Sequence, residues 1–283
     1  MHQLWLVSTR GLTSDVRRVD LESPHLKVRQ LSDGMWQESA VDGLVQNDPE
    51  IPVIFYVHGN RYTESDAIRH GTTIFRTALR FRAPDRPLHW VIWSWPSEKS
   101  GIGVHDVRLK ASRTDAQSLY LSWLLRLLPK ERRLGLIGYS FGGRILTGAL
   151  HALAGGAVAQ RRLPEGELLR DPARLLLIAP ALDNDWLGNG RYHGRAGWLL
   201  ERVNVLRNSV DPVLRRYGWI DLDRHPDAAG FAGLRLLPRS LDGAEVPVVQ
   251  RDVANVVGRS HDELLYFQGC VPARQALTEM MQL

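Results

Sequence analysis

The chain reads as an α/β protein built on a mostly parallel sheet, and two features of its 283 residues carry that reading. Short β-branched and aromatic runs alternate with longer stretches of helical period, the pattern of βαβ units whose strands are buried on both faces. Between one such strand and one such helix stands Gly138-Tyr139-Ser140-Phe141-Gly142, a G-x-S-x-G turn. With 44% hydrophobic residues, one domain spanning 1–283 is expected.

Taken in order, Leu4 to Ser8 and Leu26 to Leu31 read as an opening pair of strands. The most apolar run, Ile51 to Val57, ends in His58-Gly59-Asn60 and precedes a helix from about Glu64 to Phe81. Leu88 to Trp95 is the next strand, stopped by Pro96, and a polar glycine-containing loop leads to a helix from about Val107 to Leu128. Arg133 to Gly138 runs straight into Ser140, after which Ile145, Leu146, Ala149, Leu150 and Leu153 recur at helical spacing. A charged loop with Pro164 and Gly166 leads to the strand Arg174 to Pro180. Arg202 to Arg207 and Val246 to Val253 are the last two strand candidates, ending near Asp211 and leading to His261 respectively. The stretches at about 182–200 and 221–242 read as excursions beside the sheet.

Composition narrows the function classes. The formal charge of +5 rests almost wholly on arginine, with four lysines, and the arginines are scattered among carboxylates. That suits a solvated surface better than a nucleic-acid stripe, and no zinc-finger spacing or RNA-binding aromatic motif appears. No run of about 18 uncharged apolar residues suggests a membrane span. No signal peptide is read at the N-terminus, and the single Cys270 fits a reducing compartment, so a cytoplasmic location is expected. Neither a P-loop, a dinucleotide-binding loop nor H-E-x-x-H is present, so no cofactor and no metal are inferred.

The chemistry is expected around Ser140. In a G-x-S-x-G turn the serine sits on a strained bend with its hydroxyl exposed, and side chains in place of the flanking glycines would crowd it. Composition alone yields the pattern in about one chain of this length in ten, so its setting between a strand and a helix is what gives it weight. A hydroxyl needs a base, and the base needs an orienting acid, in the chain order serine, acid, histidine. Asp211 and His261, each just past a late strand, meet that order. Asp211-Pro212 is also a helix-start signal, and His261-Asp262-Glu263 also suits a first helical turn. Asp183, Asp185 and His225 compete for the same roles. Asn60, after His58-Gly59, and Phe141, after the serine, are the expected backbone donors of an oxyanion hole.

From about Val53 to Tyr266 the chain resembles an α/β hydrolase. It is especially similar to a little-characterised branch in which the oxyanion strand ends in His-Gly, the next strand in Ser-Trp-Pro-Ser, and the last histidine follows Val-Gly-x-Ser. Here these are His58-Gly59, Ser94-Trp95-Pro96-Ser97 and Val257-Gly258-Arg259-Ser260-His261, with Arg144 matching an arginine after the turn. The branch often carries His and Met beside the serine where this chain has Tyr139 and Phe141. The resemblance implies a mostly parallel twisted sheet with helices on both faces. It also implies a serine hydrolase acting on a small acyl substrate, most simply a carboxylic ester, with thioesters, amides and acyl transfer using the same parts. The rival from another class is a non-catalytic binding module on the same fold.

Overall fold

The computed structural model describes residues 2–46, 48–99, 101, 103–164 and 169–283. The loop expected around Gly166 lies partly outside them.

The first strand, β1 (Gln3–Ser8), pairs antiparallel with β2 (Lys27–Ser32), which pairs antiparallel with β3 (Met35–Ser39). Asp33 and Gly34 join β2 to β3 at φ 51° and 77°. Positive φ at both loop positions is what a two-residue hairpin of type I′ requires. A short helix, α1 (Val41–Val45), then leads to β4 (Val53–Val57). Next come α2 (Glu64–Leu79), β5 (His89–Ser94), α3 (Gly103–Leu127), β6 (Leu134–Tyr139) and α4 (Phe141–Leu153). The capping box of Thr63 and Asp66 opens α2.

The chain continues through β7 (Ala173–Ile178), a 3-10 helix at Gly194–Leu199, and β8 (Leu200–Arg207). A second 3-10 helix at Leu214–Ile220, α5 (Ala229–Ala232), β9 (Val248–Asp252), α6 (Ala254–Val257), α7 (Glu263–Phe267) and α8 (Val271–Met281) complete it. The hairpin strand β3, α1 and α8 were not anticipated from the sequence. Within the two stretches beside the sheet, a bridge between Asp183 and Ala228 ties one to the other.

Nine strands form one sheet in the order β3-β2-β1-β5-β4-β6-β7-β8-β9, parallel from β1 through β9 and antiparallel at the β3-β2-β1 edge. Both faces are covered. Successive strand residues point to opposite faces, and in β6 a Cβ at Gly135 would stand 2.6 Å from Met280 of α8, while one at Gly138 would stand 2.8 Å from Leu146 of α4. The architecture is the α/β-hydrolase fold: a mostly parallel sheet between helical layers, with the G-x-S-x-G turn at the carboxyl end of a central strand. β5 lies on one side of β4 and β6 on the other. The strand order therefore reverses there, which opens a crevice beyond the carboxyl ends.

The seat of α4 is tight. A Cβ at Gly142 would fall 2.0 Å from the carbonyl oxygen of Val57 in β4. Gly142→Ala is expected to destabilise the fold by at least about 1–3 kcal/mol, because backbone must move to admit the methyl. Gly11→Ala, with nothing within 4 Å of the added Cβ, is expected to stay within about 0.5 kcal/mol. Urea unfolding of both proteins measures the difference.

Candidate active site

Ser140 stands between the last residue of β6 and the first of α4 at φ 51°, ψ −117°, a conformation costly for a side chain with a Cβ. Its amide donates to Ile178 O at 2.9 Å, and its carbonyl accepts from Gly143 and Ala181. These bonds hold the bend in place. A Cβ at Gly138 would meet the backbone of Gly142 and Gly143 at 2.8–2.9 Å, so the two glycines of the motif permit the turn and the descent of α4 onto β4.

The structure brings together all five residues singled out in the sequence. His261 Nδ1 lies 2.5 Å from Asp211 Oδ2, and His261 Nε2 lies 3.0 Å from Ser140 Oγ. Asp211 is fully buried and also accepts from the amides of Val213 at 2.8 Å and Leu214 at 3.0 Å. A carboxylate can only accept, so the imidazole proton sits on Nδ1 and leaves Nε2 free to accept from the serine hydroxyl. The competing residues are engaged elsewhere. Asp183 accepts from Tyr217 at 2.7 Å and pairs with Arg224 at 3.0 Å, while Asp185 pairs with Arg235 and Arg191. His225 turns at φ 44° with its backbone against Gly218.

Asn60 and Phe141 both line the cavity over Ser140. Phe141 opens α4, where N–H groups have no intrahelical partner. Among the described residues no acceptor engages the Asn60 N–H. Its direction is set by His58, whose side-chain role the sequence did not disclose. The Trp95 amide donates to His58 Nε2 at 3.1 Å, so the proton is on Nδ1, which donates to Gly59 O at 2.8 Å. In a trans peptide the carbonyl and the next N–H point opposite ways, so anchoring Gly59 O turns the Asn60 N–H to the other side of the peptide plane. The His58 ring lies between Tyr62, at 5.2 Å and 9°, and Trp95, at 5.6 Å and 11°. Burial, reinforced by the Arg10 charge, lowers its pKa to about 3.

The strand-end motifs brace these loops. Trp95 Nε1 donates to His58 O, and Ser97 Oγ both accepts from the Tyr62 amide and donates to the Tyr62 carbonyl. Asn208 Nδ2 donates to Gly258 O at 2.8 Å and to Ser260 O at 3.1 Å, tying the loop of His261 to that of Asp211. Tyr139, beside the serine, donates its hydroxyl to the backbone carbonyl of His261.

No family model matches the chain, and no curated protein does. Among solved structures it is similar to an inhibited esterase B from Lactobacillus rhamnosis, at 10% identity and a TM-score of 0.44 over 83% of this chain and 77% of that one. It is also similar to an acetyl xylan esterase, at 12% identity and a TM-score of 0.35 over 82% and 96%. A lipase-esterase related protein from Clostridium acetobutylicum aligns at 11% identity and a TM-score of 0.33 over 84% and 95%.

A second buried carboxylate stands two residues beyond His261. Glu263 is fully buried and accepts from Tyr56 and Tyr62 at 2.8 Å and from His70 Nδ1 at 2.7 Å. Tyr62 thereby joins the ring stacked on His58 to the loop of His261. The signal for Glu263 was an acidic residue directly after the His-Asp pair, which read equally well as a first helical turn.

Buried neutral histidines give a pH signature. Burial lowers His58 to about 3 and, aided by Arg132 and Arg195 respectively, His89 and His151 to about 4. Between those values and the ordinary value of about 6.5 the unfolded chain binds more protons than the folded one, so stability falls as pH drops through that window. For His58 alone the slope reaches up to about 1.4 kcal/mol per pH unit. Urea unfolding from pH 7 to 4 is expected to show the decline, and nitrogen-15 NMR to show His58 as the Nδ1–H tautomer throughout.

Proposed function

We propose that the chain is a serine hydrolase that cleaves a carboxylic ester or related acyl bond of a small molecule. The observation that carries this reading is the continuous relay from Ser140 Oγ to His261 Nε2 at 3.0 Å and from His261 Nδ1 to Asp211 Oδ2 at 2.5 Å, opening on a cavity of about 380 Å³. Small-molecule sites commonly run to a few hundred cubic ångströms.

In this mechanism Ser140 Oγ attacks the acyl carbon while its proton passes to His261 Nε2. Asp211 keeps the imidazole in the tautomer that can accept it and stabilises the imidazolium. The carbonyl oxygen becomes an oxyanion and accepts from the N–H groups of Asn60 and Phe141. Collapse expels the alcohol with the proton from His261 and leaves an acyl-enzyme. Water, deprotonated by the same histidine, releases the acid and restores Ser140. The net reaction consumes one ester and one water and yields one acid and one alcohol.

The contacts of Trp95, Ser97, Gly258 and Ser260, which lie within the His-Gly, Ser-Trp-Pro-Ser and Val-Gly-x-Ser loops, support assigning the chain to that little-characterised branch, and the one nine-stranded sheet supports reading the whole chain as one α/β-hydrolase domain. Among the described residues no helix is long and apolar enough to cross a membrane. The sole cysteine, Cys270, is buried and free, which supports a cytoplasmic site of action.

A fluorophosphonate probe is expected to label wild-type protein covalently at Ser140 and to leave Ser140→Ala unlabelled, with the mutant as stable as wild type. Absence of an adduct, or an adduct elsewhere, overturns the reading. Asp211→Asn keeps the size of the acid but permits the wrong imidazole tautomer and is expected to lower turnover of an activated short ester at least about a hundredfold. Asp183→Asn and Asp185→Asn are expected to stay within about tenfold.

The backbone role of Asn60 gives a separate contrast. Asn60→Ala is expected to cost little, whereas Asn60→Pro removes the N–H and is expected to lose on the order of a hundredfold in kcat. Equal damage by both, with circular dichroism unchanged, would place the function in the side chain.

A further inference from the structure

The cavity over Ser140 is walled mainly by apolar side chains, among them Val107, Phe141, Leu214 and Ile220, and among the described residues no carboxylate lines it. Among the described residues its cationic lining groups are the guanidiniums of Arg61 and Arg216. The two arginines come from separate segments. Arg61 follows the oxyanion residue Asn60, and Arg216 lies on the 3-10 helix Leu214–Ile220.

Both are held at the backbone, with exposed side chains whose tips have no hydrogen-bond acceptor among the described residues. Arg61 sits at φ 65°, with its amide donating to Ser97 O at 2.8 Å and Asn60 Oδ1 at 2.9 Å. Arg216 donates its amide to Val213 O, and its guanidinium lies 5.9 Å from the ring centre of Trp219. Neither guanidinium has a hydrogen-bond acceptor or ion-pair partner among the described residues. A left-handed arginine is uncommon where glycine would be free of strain. Two unpaired cations beside a carboxylate-free apolar cavity also leave a positive potential that low-dielectric walls focus.

Resting on the reading of Ser140 as nucleophile, we propose that the substrate is an anionic ester. Its apolar portion lies against the cavity wall, and a carboxylate or phosphate elsewhere in the same molecule is received by Arg61 and Arg216. A guanidinium presents paired donors that match the oxygens of either group. Hydrolysis of such an ester consumes one water and releases an alcohol and an acid, with the anionic group untouched.

The test uses three methyl esters: monomethyl adipate, methyl 4-phosphonooxybutanoate, and neutral dimethyl adipate. Two partly exposed charge pairs are expected to favour an anionic ester over the neutral one by about three- to tenfold in kcat/KM at low salt, less at high salt. In Arg61→Gln/Arg216→Gln protein that ratio is expected to fall to about one, and a ratio within one variant is insensitive to how much of it folds. The better anionic ester identifies the head group. No preference in wild type, or a preference that survives in the double variant, overturns the proposal.

Calorimetry of the same esters on Ser140→Ala protein separates this result from the hydrolase reading. If wild type cleaves none of the esters, yet Ser140→Ala binds an anionic one at least threefold tighter and loses that margin with both arginines replaced, the anion site stands and the hydrolase reading falls. Equal binding overturns the anion site.

Discussion

The rest of the structure depends on the close approach of α4 to the end of β4 at Gly142. That approach forces the chain to turn within one residue of leaving β6, and the residue at the bend is Ser140, at a positive φ that costs on the order of 1–3 kcal/mol for any side chain. The bend persists because its surroundings over-determine it. Its amide and carbonyl are bonded to neighbouring segments, β6 is buried on both faces, and every residue of α4 is buried. A helix sunk so deeply cannot rotate to relieve one strained residue, so the hydroxyl faces the crevice whether or not anything occupies it.

Around that bend lie two buried carboxylates, and burial of a charge is tolerable only where donors surround it. Asp211 is held by an imidazole and two amides, Glu263 by two phenols and a second imidazole. The two sets are coupled through the chain, because His261 and Glu263 are two residues apart. Tyr62 extends the coupling, since it bonds Glu263 and stacks on His58, which in turn fixes the peptide before Asn60. The loop that carries His261 and the loop that carries Asn60 are therefore positioned by one hydrogen-bonded cluster. Loss of a single phenol there would leave a buried carboxylate short of a donor as well as loosening a loop.

Much of this was legible beforehand, and the rest was hidden for identifiable reasons. Central strands such as β4 and β6 are continuous apolar runs because both faces are covered, so hydropathy alone marks them. Strand β3 lies at the sheet edge with Met35 exposed and reads as polar sequence; its signal was Asp33-Gly34, a hairpin turn pair, rather than any apolar pattern. Ser140, Asp211 and His261 were visible because each follows a strand in a fixed chain order. Glu263, Asn208 and the ring of His58 were not. Their work depends on partners 37 to 207 residues away in sequence, and no local pattern encodes a contact of that range.

The same distinction explains the arginine-rich composition. Several guanidiniums are interior fittings for backbone carbonyls. Arg132 donates to Ile51 O and Leu44 O and to the ring of His89, and Arg82 donates to Arg86 O, Pro87 O, Met281 O and Leu283 O. Arg170 donates to Leu125 O and Arg132 O, and burial lowers its pKa to about 10. One planar fork with five donors can satisfy carbonyls at the ends of several elements at once, which the compact ammonium of lysine does less well. Much of the basic excess therefore belongs to the architecture and carries no information about a ligand. Arg61 and Arg216 are a different case: among the described residues no carbonyl or carboxylate takes their donors, and both line the cavity over Ser140. A guanidinium that does not serve the fold, placed on the wall of the cavity that holds the strained serine, is free to serve what enters it.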